Sequence, residues 1–143
     1  RLRTIRSHVQ ANWKPPTRDD FGSLYSDCMK ALRKEDGQLW NAKLPSMIQA
    51  YFEDMEVMLR GLRVRASKSA SLWLVVSTSA YAGVEIPVDL ILADVAQRSG
   101  WFLREVGVLR YLRSASQHVR HVSDLTRKPV PLRESVVILD SSS

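Results

Sequence analysis

Gly100 is the residue that most constrains this chain. It stands in LADVAQRSGWFLREVGVLRYL, residues 92–112, one helical turn after Ala96. A glycine just past an apolar helical repeat predicts a tight turn at positive φ, where a Cβ is penalised. A small alanine one turn earlier lets two backbones approach closely. The spacing therefore predicts two short helices, over 88–98 and 101–113, joined by a short turn and crossing steeply. Val95, Trp101, Val106 and Leu109 would point into the angle and hold it against the domain. That is the spacing of a helix-turn-helix.

The rest of the chain reads as helix around this elbow. In RLRTIRSHVQA, Leu2, Ile5 and Val9 share one side and Arg1, Arg3 and Arg6 lie elsewhere, which predicts a short amphipathic helix stopped by Pro15-Pro16. Thr17 or Asp19 caps a second helix through Lys34, because Phe21, Leu24, Cys28, Ala31 and Leu32 follow the helical repeat. In SMIQAYFEDMEVMLRGL, a third helix capped by Ser46 and fraying at Gly61, Ile48, Tyr51, Phe52, Met55, Met58, Leu59 and Leu62 make one apolar face. Residues 67–82 are apolar or small on nearly every side and read as a buried central helix, although Val75-Val76 also admit a strand. Gly83 closes that segment, and Val84-Glu85-Ile86 before Pro87 is extended. The last long helix runs from Trp101 to between Arg113 and His121. LTRKPVPLRES then reads as linker and VVILDSSS as a short strand-former with a polar tail.

Composition bounds the rest. A chain of 143 residues with 45% apolar content can bury one substantial core. No apolar run reaches the roughly 18 residues of a membrane span, so the expectation is a soluble chain with no membrane partner. It opens on Arg1 without a secretory signal and reads as starting inside a longer protein. A single cysteine, Cys28, leaves no internal disulfide and reads as core. Twenty-one Lys and Arg against fifteen Asp and Glu leave a net charge of +6, a balance suited to polyanionic partners.

The order ASLWLVVSTSAYAG, then VEIPVDLILADVAQRSG, then WFLREVGVLRYL resembles the cyclin-like repeat of the transcription factor IIB family. Ala70 through Gly83 stands for its central helix, and Val84-Glu85-Ile86-Pro87 for the following turn. Leu92, Val95 and Ala96 stand for its short helix, and Ser99-Gly100 for the joint. The resemblance covers about residues 19–122, and its specific part is 70–112. It implies an all-α fold, a single five-helix cyclin-like bundle ending in a helix-turn-helix. The domain would span 17–124, with a short N-terminal helix and linker at 1–16 and an extended C-terminal tail at 125–143. It also implies a nuclear, non-enzymatic bridging role among promoter DNA, TATA-binding protein and RNA polymerase. The family carries two repeats and this chain has room for one, which implies a fragment of a larger factor or a single-repeat relative. By position, DNA contact maps onto Arg98, Arg104 and Arg110. The aromatic first turn Trp101-Phe102-Leu103 departs from a base-reading helix, leaving contact with the DNA backbone or with protein.

Other features carry weaker expectations. Arg60, Arg63, Arg65 and Lys68 form a basic cluster able to meet phosphates, or else a solvated edge. Val136, Val137, Ile138 and Leu139, followed by acid and serines, resemble a SUMO-interacting motif. A strand docked on its own domain is the simpler reading. His118 and His121 share a helix face, but no further ligand stands near them, so no metal or cofactor is expected. No catalytic motif is found. The alternatives to the bridging role are a helical adaptor binding a partner peptide in a groove and a viral or structural assembly subunit.

Overall fold

The computed structural model describes residues 4–112 and 130–143. Among these the fold is mixed rather than all-α: three α-helices and five strands in two antiparallel sheets. Helices α1 (Ser23–Lys34) and α2 (Leu44–Arg65) come first, with a 3₁₀ turn at Asp36–Gln38 between them. Strand β1 (Ser71–Ser77) leads into a hairpin of β2 (Ser79–Tyr81) and β3 (Val84–Ile86). Helix α3 (Val88–Arg98), β4 (Phe102–Leu112) and β5 (Leu132–Asp140) complete the order.

β5 is the middle strand of the main sheet, antiparallel to β1 on one side and to β4 on the other. It follows that β1 and β4 run parallel, joined by a crossover through the hairpin and α3. Such a crossover defines an α/β unit, because parallel strands need a connection long enough to return over one face of the sheet.

α3 supplies that cover. Its Ile91, Leu92, Val95 and Ala96 are buried in one core with Val137 and Leu139 of β5. α2 joins the same core through Met47, Ile48, Phe52, Met55 and Leu59, spaced to share a helix face. Phe21 and Tyr25 close it from the α1 side, edge-on to each other at 4.9 Å, with Tyr25 5.6 Å from Phe52. Ahead of α1, an extended strap lies against α2. Both the backbone N–H and Nε of Arg6 reach Asp54 Oδ2 at 2.9 Å. The N–H and hydroxyl of Thr17 and the N–H of Arg18 all donate to Glu53 Oε1.

Several expectations are overturned here. The five-helix cyclin-like bundle is absent, because residues 67–82 form β1 and β2 and residues 102–112 form β4. The segment that carried the IIB resemblance is thus strand, hairpin, helix and strand. No helix forms over the described part of 1–11, where only a turn closes, Ala11 N–H to His8 O. The elbow is half right. Gly100 sits at φ +89, with Gly100 N–H on Gln97 O and Trp101 N–H on Ala96 O, a glycine-terminated end to α3. The glycine leads into a strand, not a second helix. α1 begins without a side-chain cap, since Asp19 accepts the Tyr25 hydroxyl and an Arg33 N–H instead. α2 runs past Gly61 to Arg65, and VVILD is the sheet's middle strand rather than part of a tail. His118, His121 and the expected end of the last helix lie outside the described residues.

Candidate functional site

At the carboxyl end of β1 lies a cleft of about 330 Å³ between β1, the hairpin and α2. Three local causes form it. Thr78, just past β1, stays tied to β5: its N–H donates to Arg133 O at 2.9 Å and its Oγ1 accepts the Arg133 N–H at 3.0 Å. The chain then reverses in a two-residue turn, with Ala82 at φ 50 and Gly83 at φ 79, which suits the twist of a tight hairpin. This reversal swings Tyr81 back toward α2, whose Tyr51 forms the facing wall.

Ile86, Val88 and Phe52 make the floor, and Ser7, Ser77 and Ser79 bring hydroxyls to the lining. Tyr51 meets Phe52 edge-on at 5.2 Å, which fixes its ring. Burial pushes the Tyr51 phenol above its ordinary range, so at neutral pH it remains an O–H donor. No charged side chain lines the cleft. A phosphate or carboxylate would therefore find no countercharge there, whereas a flat neutral ring finds aromatic walls and hydroxyl partners. The lining also holds no His, Cys, Asp or Glu able to take a proton.

The basic residues singled out from the sequence lie elsewhere, and most are engaged. Arg63, Arg98 and Arg104 gather at the opposite end of the sheet. Arg63 donates to Gly100 O at 2.8 Å and to Ser141 O at 2.7 Å, and it lies over the Trp101 ring. Arg98 pairs with Asp20 and Asp94. Arg104 pairs with Asp140 and also reaches Ser71. Arg110 pairs with Glu134 near the cleft end of the sheet, and Arg60 with Glu56 along α2. Arg65 caps Gly61 O, and Lys68 has no side-chain ion pair among the described residues. These side chains form no continuous free basic stripe. Val136, Val137, Ile138 and Leu139 have both backbone edges in use, which leaves no edge for a SUMO sheet to join.

The sequence reading missed Tyr51, Tyr81, Ser77 and Ser79 as a group. The available signal is Ala82-Gly83 flanked by SAY and VEI, a hairpin pattern that the small and apolar run of 67–82 obscures. Among the described residues no helix is long and apolar enough to cross a membrane, and no group of His, Cys, Asp and Glu could hold a metal ion.

The class that this fold and cleft define is an α/β unit with an aromatic, uncharged pocket at a strand end. The type II methyltransferase M.AvaI of Nostoc sp. is 33% identical over 102 residues, 68% of this chain and 21% of that protein. The type II methyltransferase M.AvaI of Anabaena variabilis matches to the same extent. The chain thus spans about a fifth of the length of the curated relatives it matches. No family model and no solved structure matches it. The relatives are enzymes, so the expectation of a non-enzymatic chain gains no support from them.

Proposed function

We propose that this chain is a segment of a methyltransferase acting on DNA, and that the cleft at the carboxyl end of β1 receives the base to be modified. The observation that carries the reading is the charge-free cleft walled by Tyr51 and Tyr81, in a chain 33% identical to a methyltransferase over 102 residues. An enzyme that modifies a base inside a duplex must first take that base out of the stack, and an aromatic pocket compensates the lost stacking. Ser77, Ser79 and the Tyr51 phenol are the hydrogen-bonding groups available to the edge of such a base.

Methyl transfer also requires a donor, and the cleft does not fit one beside a base. Its lining has no carboxylate to hold a sugar. Nor does it carry a group to accept the proton released. The role proposed for these residues is acceptor binding alone, with donor and proton acceptor supplied by other polypeptide.

The reading as a promoter-bridging domain drew its support from helices at 67–82 and 101–113. With strands there, it keeps no support in this fold. DNA remains the proposed partner, favoured by the net charge of +6.

The test is a fluorescence titration of an oligonucleotide carrying 2-aminopurine. Tyr51→Ala and Tyr81→Ala should each weaken binding about tenfold, the loss of one stacking contact. Both variants binding like the parent chain would reject the assignment.

A further inference from the structure

The main sheet is built to be covered on two faces and to continue past one edge. β1 contains LWLVV and β5 contains VVIL. Unbroken apolar runs of this kind belong to strands buried on both faces, whereas a sheet covered on one face alternates apolar with polar. Here α3 covers one face only. On the other, Trp73 is 61% exposed and Val75 59%. They lie directly across from Ile138 and Val136 of β5, which are themselves buried, so the exposed apolar surface here is that of β1, with Phe102, at the same end of β4, 47% exposed.

β1 is also an outer strand whose second edge has no partner among the described residues. Natural edges are protected by charge, proline or a bulge. Ser71–Ser77 has none of these, and its register with β5 is unbroken from end to end. β4, the opposite edge, shows the contrast: it carries Arg104, Glu105 and Arg110 and two register shifts. The protection is on one side of the sheet and missing from the other.

The character of the occupant is set by its surroundings. Arg104 with Asp140 and Arg110 with Glu134 neutralise each other at the two ends of the sheet; between them the Glu105 carboxylate of β4 lies beside Gly107 and Val136, while the β1 side of the strip, Trp73 and Val75, is apolar. The matched relatives extend far beyond the shared region, since 102 residues make up 21% of their length. Four-fifths of such a protein therefore lies outside it and is available to supply a strand.

We propose that the free edge of β1 is a strand-addition site. It takes one extended apolar strand from the remaining polypeptide of an M.AvaI-like methyltransferase, and that polypeptide also covers Trp73 and Val75. The inference rests on the functional reading above and concerns an adjoining surface. Val75, Val76 and Ser77 also line the base cleft, so an added strand would border it at that end, while from Ser71 to Leu74 the edge runs clear of the cleft.

The experiment co-expresses the full chain with the M.AvaI polypeptide from which the matched 102 residues have been removed. The complex is captured through the M.AvaI part, and backbone hydrogen exchange is measured. The expected result is a complex in which the amides of 71–77 exchange about a hundredfold more slowly than in the chain alone. Trp73→Lys with Val75→Lys should abolish capture while leaving circular dichroism unchanged, because both side chains are mostly exposed. No complex, or a complex with unaltered exchange at 71–77, would overturn the proposal. So would protection of 71–77 that rises with concentration in the chain alone, which would assign the edge to a second copy. The 2-aminopurine titration uses the isolated chain, so base binding can fail while strand addition holds, and the reverse.

Discussion

Asp89, in the first turn of α3, and Arg133, near the start of β5, form a two-pronged ion pair. Arg133 Nε lies 2.8 Å from Asp89 Oδ2 and Nη2 lies 3.1 Å from Oδ1. The Ser135 hydroxyl adds a bond to Oδ2 at 2.7 Å, and Asp89 itself is fully buried. Burial pushes the Asp89 carboxyl up, but Arg133, Ser135 and the Leu90 N–H outweigh it and hold the group below its ordinary value. The pair fixes the start of the crossover helix to the middle strand, beside the Thr78 bridge that shapes the cleft. Among the described residues, Asp89→Ala leaves the guanidinium with Glu85, at 3.3 Å. Removing one partner of a buried pair should cost about 3 kcal/mol, read as a lower urea midpoint at unchanged slope. Asp89→Asn, which keeps hydrogen-bonding capacity, should lose less.

The strap ahead of α1 should respond to acid. Burial raises the Glu53 carboxyl, but hydrogen bonds from Arg6, Thr17 and Arg18 overcome that and lower it from 4.5 to about 2. A folded value below the unfolded one means that the carboxylate stabilises the strap fully above about pH 4.5. That contribution is lost as pH falls toward about 2. The Thr17 and Arg18 amides, which donate to Glu53, should lose exchange protection across that window, while amides of β5 keep theirs until global unfolding. Glu53→Gln should remove the pH dependence at the Thr17 and Arg18 amides, while the Arg6–Asp54 pair remains. Equal protection of Thr17 above and below the window would refute the assignment.

Helices were legible from the sequence where an apolar face repeats over several turns. α2 and α3 fall near their expected places because Ile48, Phe52, Met55 and Leu59, and then Leu92, Val95 and Ala96, follow one helical stripe. The strands were not legible, for a specific reason in each case. In β4, Arg104 and Leu109 are extra residues at the two register shifts, so the alternation slips twice and imitates a helical repeat. In β1, LWLVV has no alternation because the strand suits cover on both faces, and periodicity cannot separate such a run from a buried helix. Gly100 encodes its backbone angle and not its successor, since a left-handed glycine ends a helix whether a strand or another helix comes next. The cleft depends on Tyr51 and Tyr81 being brought to one lining from distant parts of the chain, a placement no local pattern encodes.

Two glycines at positive φ should differ in their tolerance of a side chain. At Gly100 a new Cβ would sit 3.6 Å from Arg63 Cγ, an ordinary contact, so Gly100→Ala should cost only the left-handed strain of about 1 kcal/mol. Gly22 lies at φ 104 and ψ 169, a region essentially closed to other residues, and a Cβ there would fall 1.9 Å from Asp94 Oδ2. Gly22→Ala should cost about 2–3 kcal/mol and displace Asp94 from Arg98, its partner at 3.4 Å. Thermal unfolding of both variants ranks them. A larger loss at Gly100 would contradict the conformations described.

Within the basic cluster, structural and binding roles should separate. Arg63 is half-buried and holds Gly100 O and Ser141 O with one guanidinium, with Trp101 beneath it at 5.9 Å. Three elements meet at that one side chain: the end of α2, the end of α3 and the end of β5. Lys68 is exposed, and its ammonium has no ion pair among the described residues. Arg63→Ala should therefore lower stability by about 2 kcal/mol, and Arg63→Lys should recover only part of that, since an ammonium lacks the planar fork and stacks poorly. Lys68→Ala should leave the unfolding midpoint unchanged. If Lys68 meets a phosphate, its removal should reduce the slope of log binding constant against log salt by about one. Paired urea and salt titrations on the three variants test this division. A reduced salt slope with an unchanged midpoint in Arg63→Ala would show that this arginine serves the nucleic acid rather than the fold.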